Sequence, residues 1–476
     1  MDDPAPVTVR DRERFASSQA ASLAIDCLLA GIEAARPATV INASVSIDGS
    51  TLALGDATYD LDEFDRVLLV GGGNAAGRVA AELEGLLGDR IDGGIVVTDD
   101  PVPLGRAESV TGSHPTPDRA ALDGADRLLD LVADASGNDL LVGVVTGGGS
   151  ALLPAPAGDV SLADLQGITD DLVRSGAAID EINAVRKHVS ALKGGRLARA
   201  AAPATVAAIV FSDVVGDDPA TVASGPFSPD PTTYADARSV LARYEIDAPA
   251  TVRDRIDRGA DAAEDAADGA VDAAEEAGDP DAAGTPTETP DRDDPAFDAV
   301  NVHVLASNDT AIEAAAEAAR DASADPLVLS TRIRGEAREV GTVHAGIAAE
   351  VRASGRPIEP PAVLVAGGET TVSVGDASGA GGPNQELALA AALDLADPST
   401  VLASVDTDGI DGATDAAGAL VTGRTIDGAI SAPAARDALD SHDAYPVLDD
   451  AGALLRTGAT GTNVNDLRVI VVPEGG

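Results

Sequence analysis

Short apolar runs rich in β-branched residues recur along the chain, and glycine-rich turns and Ala- and Leu-rich stretches follow them. The runs are 67–70, 94–97, 140–145 and 206–210 in the first half, and 301–305, 326–330, 362–365, 401–405 and 467–472 in the second. Strands that alternate with helices are typical of parallel βαβ units. The pattern therefore predicts an α/β protein in which helices cover both faces of a parallel sheet.

Two other segments help to divide the chain. Residues 12–35 have the apolar spacing of a helix that stops near Arg36 and Pro37. Residues 261–294 contain 13 acidic residues, one Arg and no aromatic residue, and such a composition buries too little apolar area to offset the entropy of ordering. Part of this segment, at 261–277, has the Ala and Glu content of a transient helix.

The acidic segment predicts a two-domain organisation. We expect an N-terminal α/β domain at 10–254, a disordered acidic linker or insertion at 255–298, and a smaller C-terminal α/β domain at 299–474. The length of 476 residues agrees with two or three domains. No internal repeat of fixed period is visible.

Charge and composition exclude several classes of protein. The 32 basic and 80 acidic residues give a net charge of −48, which repels nucleic-acid phosphates and anionic lipid. We therefore expect neither partner, and adaptation of the surface to high salt is the favoured reason for the acidity. No apolar run approaches the ~20 residues of a membrane helix, and the N-terminus lacks the pattern of a secretory signal, so a cytoplasmic protein is expected. The single cysteine, Cys27, excludes an internal disulfide and a cysteine-based metal site.

The basic residues point to one segment. The chain contains only two lysines, Lys187 and Lys193, which lie six residues apart. On a helix, Asn183, Arg186, Ser190 and Lys193 would share one face, because they are spaced by three, four and three residues. That face suits a carboxylate or phosphate held in an otherwise anionic protein. His188 lies off this face and is predicted to be structural.

Two glycine turns follow predicted strands. The first carries Gly71, Gly72, Gly73 and Asn74, and the second carries Thr146, Gly147, Gly148, Gly149 and Ser150. Glycines at such turns let a ligand approach backbone N–H groups, and the hydroxyls of the second turn are candidate donors. With Ala76 and Asp99, the first turn also fits a weak dinucleotide-binding pattern. Tight packing within a βαβ unit is the alternative explanation for the first turn.

Polar loops follow the remaining strands. Asp213 comes just after the run at 206–210, where α/β proteins place a base or a metal ligand. Asp406, Asp408 and Asp411 lie within six residues and suit Mg²⁺, although the later Glu of an EF-hand is missing. Other loops of the second half contribute candidate side chains, namely Arg334, Glu369, Thr370, Asn384 and Asn463. Loops of this kind in both halves predict a large anion-binding cleft between the domains.

Taken together, several strings in the chain resemble the two-domain glycerate 2-kinase family, whose C-terminal part is called the MOFRL domain. These strings are 112–118, 146–153, 183–197, 212–226, 367–372, 384–387, 407–419 and 457–467. The resemblance implies transfer of the ATP γ-phosphoryl group to the 2-hydroxyl of glycerate, giving 2-phosphoglycerate and ADP. It also implies a Rossmann-like N-terminal domain, a smaller C-terminal α/β domain, Mg²⁺ dependence and catalysis in the cleft.

Two residues depart from that family's pattern. Asn74 stands where the family usually has Lys, and Pro383 stands where it usually has Arg. Each change removes a cation. Arg78, which lies one helical turn beyond Asn74, is a candidate substitute for the cation missing there. Two alternatives therefore stay open. One is a catalytically impaired paralogue that still binds a nucleotide or hydroxy acid, and the other is an NAD-dependent dehydrogenase resting on the first glycine turn and Asp99.

The family resemblance leads to a hypothesis for each candidate residue. Lys193 and Arg186 would neutralise the glycerate carboxylate or the moving phosphoryl group, and Asp213 would orient the acceptor hydroxyl as a base. Asp408 and Asp411 would contact Mg²⁺. Substrate or phosphate binding is assigned to Gly71, Gly72, Gly73, Asn74, Gly147, Gly148, Gly149, Ser150, Asn183, Ser190, Arg334, Glu369, Thr370, Asn384 and Asn463. The sequence leaves open the exact hydroxy acid and the oligomeric state, a homodimer included.

Overall fold

The structure is a computed structural model that describes residues 5–16, 18–267, 285–375, 379–428 and 430–474. Its helices are α1 Gln19–Ala34, α2 Pro37–Ser44, α3 Ala76–Leu87, α4 Arg119–Ala133, α5 Gly149–Leu152, α6 Leu162–Arg174, α7 Ile179–His188, α8 Arg196–Ala201, α9 Tyr234–Arg243, α10 Ala250–Ala267, α11 Asn308–Asp321, α12 Ala337–Ser354, α13 Pro383–Asp394, α14 Thr425–Gly428, α15 Ala432–Asp440 and α16 Ala444–Asp450. Its strands are β1 Val45–Asp48, β2 Thr51–Leu54, β3 Ala57–Asp60, β4 Arg66–Gly72, β5 Gly93–Thr98, β6 Glu108–Thr111, β7 Asp139–Thr146, β8 Thr205–Phe211, β9 Val300–Ala306, β10 Asp325–Glu336, β11 Ala362–Thr371, β12 Val401–Asp406, β13 Gly418–Thr422, β14 Leu454–Leu455 and β15 Asp466–Val472.

The N-terminal half is built on a six-stranded parallel sheet with the order β6-β5-β4-β7-β8-β9. Strands buried on both faces read as continuous apolar runs, and every residue of β7 is buried. Helices such as α3 and α4 connect successive strands and pack on the sheet. The predicted α/β architecture is confirmed.

The C-terminal half contains a second six-stranded sheet, with the order β10-β11-β15-β12-β13-β14. Only β10 and β11 pair in parallel, and the other neighbours are antiparallel. The prediction of parallel units holds for β10 and β11, which α12 connects, and is wrong for the other strands of this sheet. Strands β12 and β13, for example, are joined by a loop and pair antiparallel. Parallel neighbours need a longer crossover connection, usually a helix.

The described chain forms two compact units, each discontinuous in sequence. The first unit comprises residues 41–212 and 217–305, and the second comprises residues up to 40, residues 213–216 and those from 306 onwards. The predicted domain limits differ from these units at three places: β9 belongs to the first unit, whereas α1 and the short segment after β8 belong to the second. In the second unit α1 lies so close to α11 that a Cβ added to Gly31 would be 2.6 Å from the Ala311 carbonyl oxygen.

The predicted acidic linker is structured at both ends. Residues 255–267 belong to α10, which buries Ile256 and Ala260 in an apolar cluster with α9. On the far side, Thr289 is buried and its hydroxyl donates to Asp230 at 3.0 Å. The prediction of disorder is therefore wrong at these ends, since regularly spaced apolar residues pack despite the surrounding charge. Residues 268–284 of the predicted linker lie outside the described residues.

The N-terminal region holds three elements that the sequence analysis resolved poorly. The predicted helix at 12–35 begins at Gln19, where the Ser18 hydroxyl caps it by accepting from the Ala21 N–H at 3.2 Å. Pro37 opens α2, since its ring suits the first position of a helix. Strands β1 to β3 form an unpredicted antiparallel sheet.

Among the described residues, no helix has both the length and the apolar composition to cross a membrane.

Candidate active site

The first unit contains an open pocket of about 220 Å³. Its lining residues come from the loop after β6, the turn after β7 with the short helix α5, and helices α6 and α7 with the loop that follows. They are His114, Pro115, Pro117, Gly148, Ser150, Ala151, Leu165, Thr169, Arg186 and Lys193. Four residues that the sequence singled out therefore meet in one pocket, namely Gly148, Ser150, Arg186 and Lys193.

The pocket holds two cations without a carboxylate partner in the described chain. The Lys193 side chain is only 2% exposed, and its ammonium donates to the Leu153 carbonyl oxygen at 2.6 Å. Burial, and after it the positive charge of Arg186, lower the pKa of Lys193 to about 7. Burial also lowers the pKa of the Arg186 guanidinium. An anion in the pocket would relieve both effects, because an opposite charge favours the ionised form of each group.

The backbone around Lys193 differs from the predicted continuous helix. Helix α7 ends at His188, and Lys193 lies in the loop that follows. The Ser190 hydroxyl accepts hydrogen bonds from the N–H groups of Leu192 and Lys193, at 3.1 and 3.2 Å. Ser190 was predicted to bind substrate, but its contacts hold the lysine loop.

The other lysine has a structural role. The Lys187 ammonium lies 3.1 Å from the Asp230 carboxylate, and both side chains are buried. His188, as predicted, is also structural, with its Nδ1 2.6 Å from the Ala184 carbonyl oxygen and its Nε2 3.1 Å from Glu288. The lysine pair thus divides into one residue in an ion pair and one in the pocket.

A chain of three hydroxyl and amide groups lies beside the second glycine turn. The hydroxyls of Ser150 and Ser224 are 2.8 Å apart, and Ser224 donates to the Asn183 side-chain oxygen at 3.0 Å. Asn183 is therefore a supporting residue here. The Thr146 hydroxyl accepts from the Ala75 N–H at 3.2 Å and is likewise used within the protein.

The first glycine turn is packed rather than open to a ligand. Gly71 and Gly72 lie in β4 between β5 and β7, and the N–H groups of Gly73 and Asn74 donate to the carbonyls of Val97 and Gly147 at 3.0 and 2.8 Å. The prediction that this turn binds an anion is not supported. Arg78, the candidate substitute for the missing cation, forms an ion pair with Asp100 at 2.6 Å.

The packing explanation predicts a specific cost. A Cβ added to Gly71 would lie 1.9 Å from the Val144 carbonyl oxygen, and the glycine has a φ of +145°. Gly71→Ala is expected to destabilise the first unit by about 1–3 kcal/mol or more, because overpacking forces the backbone to shift. Thermal unfolding measures this, with Gly93→Ala as control, since a Cβ there meets nothing within 4 Å. Equal melting temperatures would contradict the packing explanation.

In the second unit, Asp213, Arg334 and Glu369 lie near one another. The Arg334 guanidinium donates to the Val215 carbonyl oxygen at 3.0 Å. Burial raises the pKa of Asp213 to about 6. Loss of hydration and then the negative charges of Asp213 and Asp466 raise the pKa of Glu369 to about 7, although much of its side chain stays exposed.

Two predicted ligand-binding residues are instead part of a buried polar network. Both the N–H and the hydroxyl of Thr370 donate to Asp466, at 3.0 and 3.2 Å. The Asn384 amide donates to Asp466 at 2.6 Å and to Asp411 at 3.2 Å. Arg468 forms a buried ion pair with Asp466. Thr370 and Asn384 therefore support the sheet and the start of α13.

The three carboxylates after β12 differ in what they contact. Asp411 is 1% exposed, and its two oxygens accept from the N–H groups of Asn384 and Gln385, at 3.0 and 2.8 Å. It therefore caps α13 and has little capacity left for a metal. Asp406 accepts from the Asp408 N–H at 3.1 Å. Burial, followed by neighbouring carboxylates, raises the pKa of Asp406 well above its usual range, and burial raises the pKa of Asp408.

These donors fit Mg²⁺ only in an open site. In the described part of the chain, no three His, Cys, Asp or Glu side chains are grouped to hold a metal ion. Mg²⁺ is usually bound through one or two carboxylates, with water and substrate phosphates completing its shell. Asp408 and Asp406 meet that requirement, and Asp411 does not.

Sequence reasoning missed three residues of these clusters. His114 lines the pocket, and burial lowers its pKa. Ser224 is completely buried beside Ser150, and Asp466 is the centre of the polar network. The His-Pro-Thr-Pro string was a usable signal for His114 in a chain with only five histidines. Asn463, which was predicted to bind, accepts from the Asn465 N–H at 3.0 Å within its own turn.

Comparison with known proteins agrees with this architecture. A family model described as a domain of unknown function (DUF4147) matches residues 23–257, and the MOFRL family model matches residues 362–466. A protein of Agrobacterium vitis with the provisional name hydroxypyruvate reductase is 41% identical over 86% of this chain and 87% of its own length. The glycerate 2-kinase of Pyrococcus horikoshii is 36% identical over 93% of this chain and 94% of its own length.

A solved structure extends the similarity to the fold. The crystal structure of glycerate kinase from Thermotoga maritima matches with a TM-score of 0.78 and 35% identity, covering 95% of this chain and 99% of that one. The similarity thus spans both sheets. The chain belongs to the glycerate kinase family, in which a DUF4147 domain is followed by a MOFRL domain.

Proposed function

We propose that the protein transfers the γ-phosphoryl group of ATP to the 2-hydroxyl of D-glycerate, giving 2-phosphoglycerate and ADP. The observation that carries this proposal is the pocket of the first unit, where Lys193 and Arg186 are both without a carboxylate partner among the described residues. In a chain of net charge −48, two such cations are costly to bury unless an anion binds them. Glycerate and the phosphates of ATP are anions of the required kind.

In the proposed reaction, Lys193 and Arg186 hold negatively charged oxygens of the substrate or of the moving phosphoryl group. Positioning and neutralisation of charge supply most of the catalysis of phosphoryl transfer. Asp213 accepts the proton of the 2-hydroxyl as the hydroxyl oxygen forms a bond to the γ-phosphorus. The bond between that phosphorus and the oxygen that leaves with ADP breaks. The raised Asp213 pKa of about 6 leaves this carboxylate mostly ionised at neutral pH, as a general base requires.

We propose that Asp408, with Asp406, is the site of Mg²⁺ contact. When bound, Mg²⁺ neutralises charge on the phosphate oxygens. The carboxylates of this chain would orient it, and Asp411 is assigned to capping α13 because its oxygens are already engaged.

The proposal predicts a narrow pH optimum for kcat/KM towards glycerate at saturating ATP. Activity should fall below about pH 6, as Asp213 takes up a proton, and above about pH 7, as Lys193 loses one. Lys193→Arg keeps its charge at all these pH values, so its profile should lose the alkaline limb while retaining the acidic one. An alkaline limb that persists in Lys193→Arg would contradict the assignment.

One assay tests the reaction itself. Purified protein is incubated with D-glycerate, ATP and Mg²⁺ in high KCl, and ADP and 2-phosphoglycerate are measured. Formation of 3-phosphoglycerate would contradict the assignment of the 2-hydroxyl. Binding of ATP without product would favour the impaired paralogue, which the loss of a cation at Asn74 and Pro383 motivates.

The names of the Agrobacterium vitis proteins motivate one alternative, a reductase acting on hydroxypyruvate. A nicotinamide cofactor would need the first glycine turn, whose N–H groups at Gly73 and Asn74 are already hydrogen-bonded. We therefore favour the kinase. Oxidation of NADH by hydroxypyruvate in the absence of ATP would reverse that preference.

A further inference from the structure

The hydroxyl of Ser150 lies between the pocket and a buried pair of polar side chains. Ser150 lines the pocket, its Oγ is 2.8 Å from the Ser224 Oγ, and the Ser224 Oγ is 3.0 Å from the Asn183 Oδ1. Ser224 is 0% exposed and Asn183 is 4% exposed. The two inner members of this chain are therefore shielded from solvent, and only Ser150 can reach a ligand.

The number of hydrogens fixes the direction of these bonds. A side-chain amide oxygen only accepts, and a hydroxyl has a single proton. Ser224 must therefore donate its proton to Asn183, which leaves its oxygen to accept from Ser150. Because the Ser150 proton is used in this way, its oxygen presents only lone pairs to the pocket.

The backbone holds Ser224 in place. Ala223 and Ser224 have φ values of 51° and 60°, a left-handed conformation that is unfavourable for a residue other than glycine. The carbonyls of Ser224 and Gly225 accept from the N–H groups of Gly194 and Gly195, at 2.9 and 2.7 Å. The strained turn is thus attached to the loop that carries Lys193.

We propose that Ser150 is a specificity-determining residue that accepts a hydrogen bond from an alcohol O–H of the substrate, with Ser224 and Asn183 as positioning residues. Carboxylate and phosphate oxygens carry no proton when ionised, so they would face the Ser150 lone pairs unfavourably. The partner is the hydroxyl that is not phosphorylated, since the reacting hydroxyl gives its proton to a base. The inference rests on the proposed function and makes the substrate a dihydroxy acid rather than a monohydroxy acid.

The test compares kcat/KM for D-glycerate with that for D-lactate, which lacks the second hydroxyl. Ser150→Ala should lower the value for glycerate about tenfold or more, since a site built around a substrate hydroxyl loses its preference when the partner is removed. The value for lactate should change little. Ser224→Ala should shift the ratio in the same direction by a smaller factor, because Ser150 then keeps its oxygen but can rotate.

A matched control is Ser109→Ala, since Ser109 is in the same unit and does not line this pocket. It should leave both values unchanged. A folded Ser150→Ala protein that retains the full preference for glycerate would overturn the inference while leaving the kinase proposal intact.

A failure of the kinase proposal gives a different result. If the wild-type protein phosphorylates neither acid, calorimetric binding decides. Tighter binding of D-glycerate than of D-lactate, with the difference lost in Ser150→Ala, would support the role of Ser150 on its own. Equal binding of the two acids by the wild-type protein would overturn it.

Discussion

Replacement of Lys193 by Met should lower kcat/KM for glycerate by about 10²- to 10³-fold, with a stability close to that of the wild-type protein. Removal of one positioned charge-stabilising group typically costs an enzyme this much. Met retains much of the volume and the apolar stem of the buried side chain, and the pocket loses the ammonium together with its hydrogen bond to the Leu153 carbonyl oxygen. Because Lys193 has no carboxylate partner among the described residues, its replacement leaves no buried carboxylate unpaired. Steady-state kinetics and thermal unfolding on the same preparation measure both quantities.

The matched variant is Lys187→Met, which should behave in the opposite way. Its ammonium is paired with the buried Asp230 carboxylate at 3.1 Å. Removal of one partner of a buried pair typically costs about 3–5 kcal/mol of stability. At a temperature where the variant is folded, its kcat/KM should be near that of the wild-type protein. Full turnover by Lys193→Met would remove the central cation from the proposed mechanism.

The pattern of apolar residues predicted the strands well, because a buried parallel strand is a local feature of the sequence. The runs at 140–145 and 206–210 correspond to β7 and β8. Pairing direction is decided by how the connections run, and local pattern does not encode that. The placement of β9 in the first unit, beyond the acidic segment, was missed for the same reason.

The site could be predicted in part. Scarcity of lysine pointed to Lys193 even though the expected helix ends at His188, since unusual charge in an acidic chain is informative whatever the local backbone. Residue type could not separate ligand-facing from supporting roles. Gly73 and Thr370 had suitable chemistry, but their hydrogen bonds are made within the protein. Such contacts join residues far apart in sequence.

Asn74, which departs from the family pattern, occupies a tightly packed position. Its side-chain oxygen is buried, has no hydrogen-bond partner among the described residues, and lies against Gly148 in the second glycine turn. A Cβ added to Gly148 would be 1.8 Å from that oxygen. In the proposed kinase, Lys193 and Arg186 would supply the positive charge that Asn74 does not.

Asp408→Asn should raise the Mg²⁺ concentration needed for half-maximal activity by about tenfold or more. Loss of even an indirect partner of a metal costs about 10- to 100-fold in affinity, and Asp408 is one of two carboxylates that fit an open Mg²⁺ site. Its backbone contacts should survive, because an Asn side chain can still accept from the Ile410 N–H, now at 2.7 Å. Two independent measurements check the effect. One is activity at varied Mg²⁺ concentration, and the other is direct binding of Mn²⁺ monitored by electron paramagnetic resonance.

Asp411→Asn is the control that separates metal binding from helix capping. Its carboxylate accepts from two N–H groups at the start of α13, and loss of a good cap costs about 0.5–2 kcal/mol. We therefore expect a lower melting temperature with an unchanged Mg²⁺ requirement. The reverse pattern, in which Asp411→Asn weakens Mn²⁺ binding and Asp408→Asn does not, would return the metal to Asp411. In that case its hydrogen bonds to α13 would have to break when the metal binds.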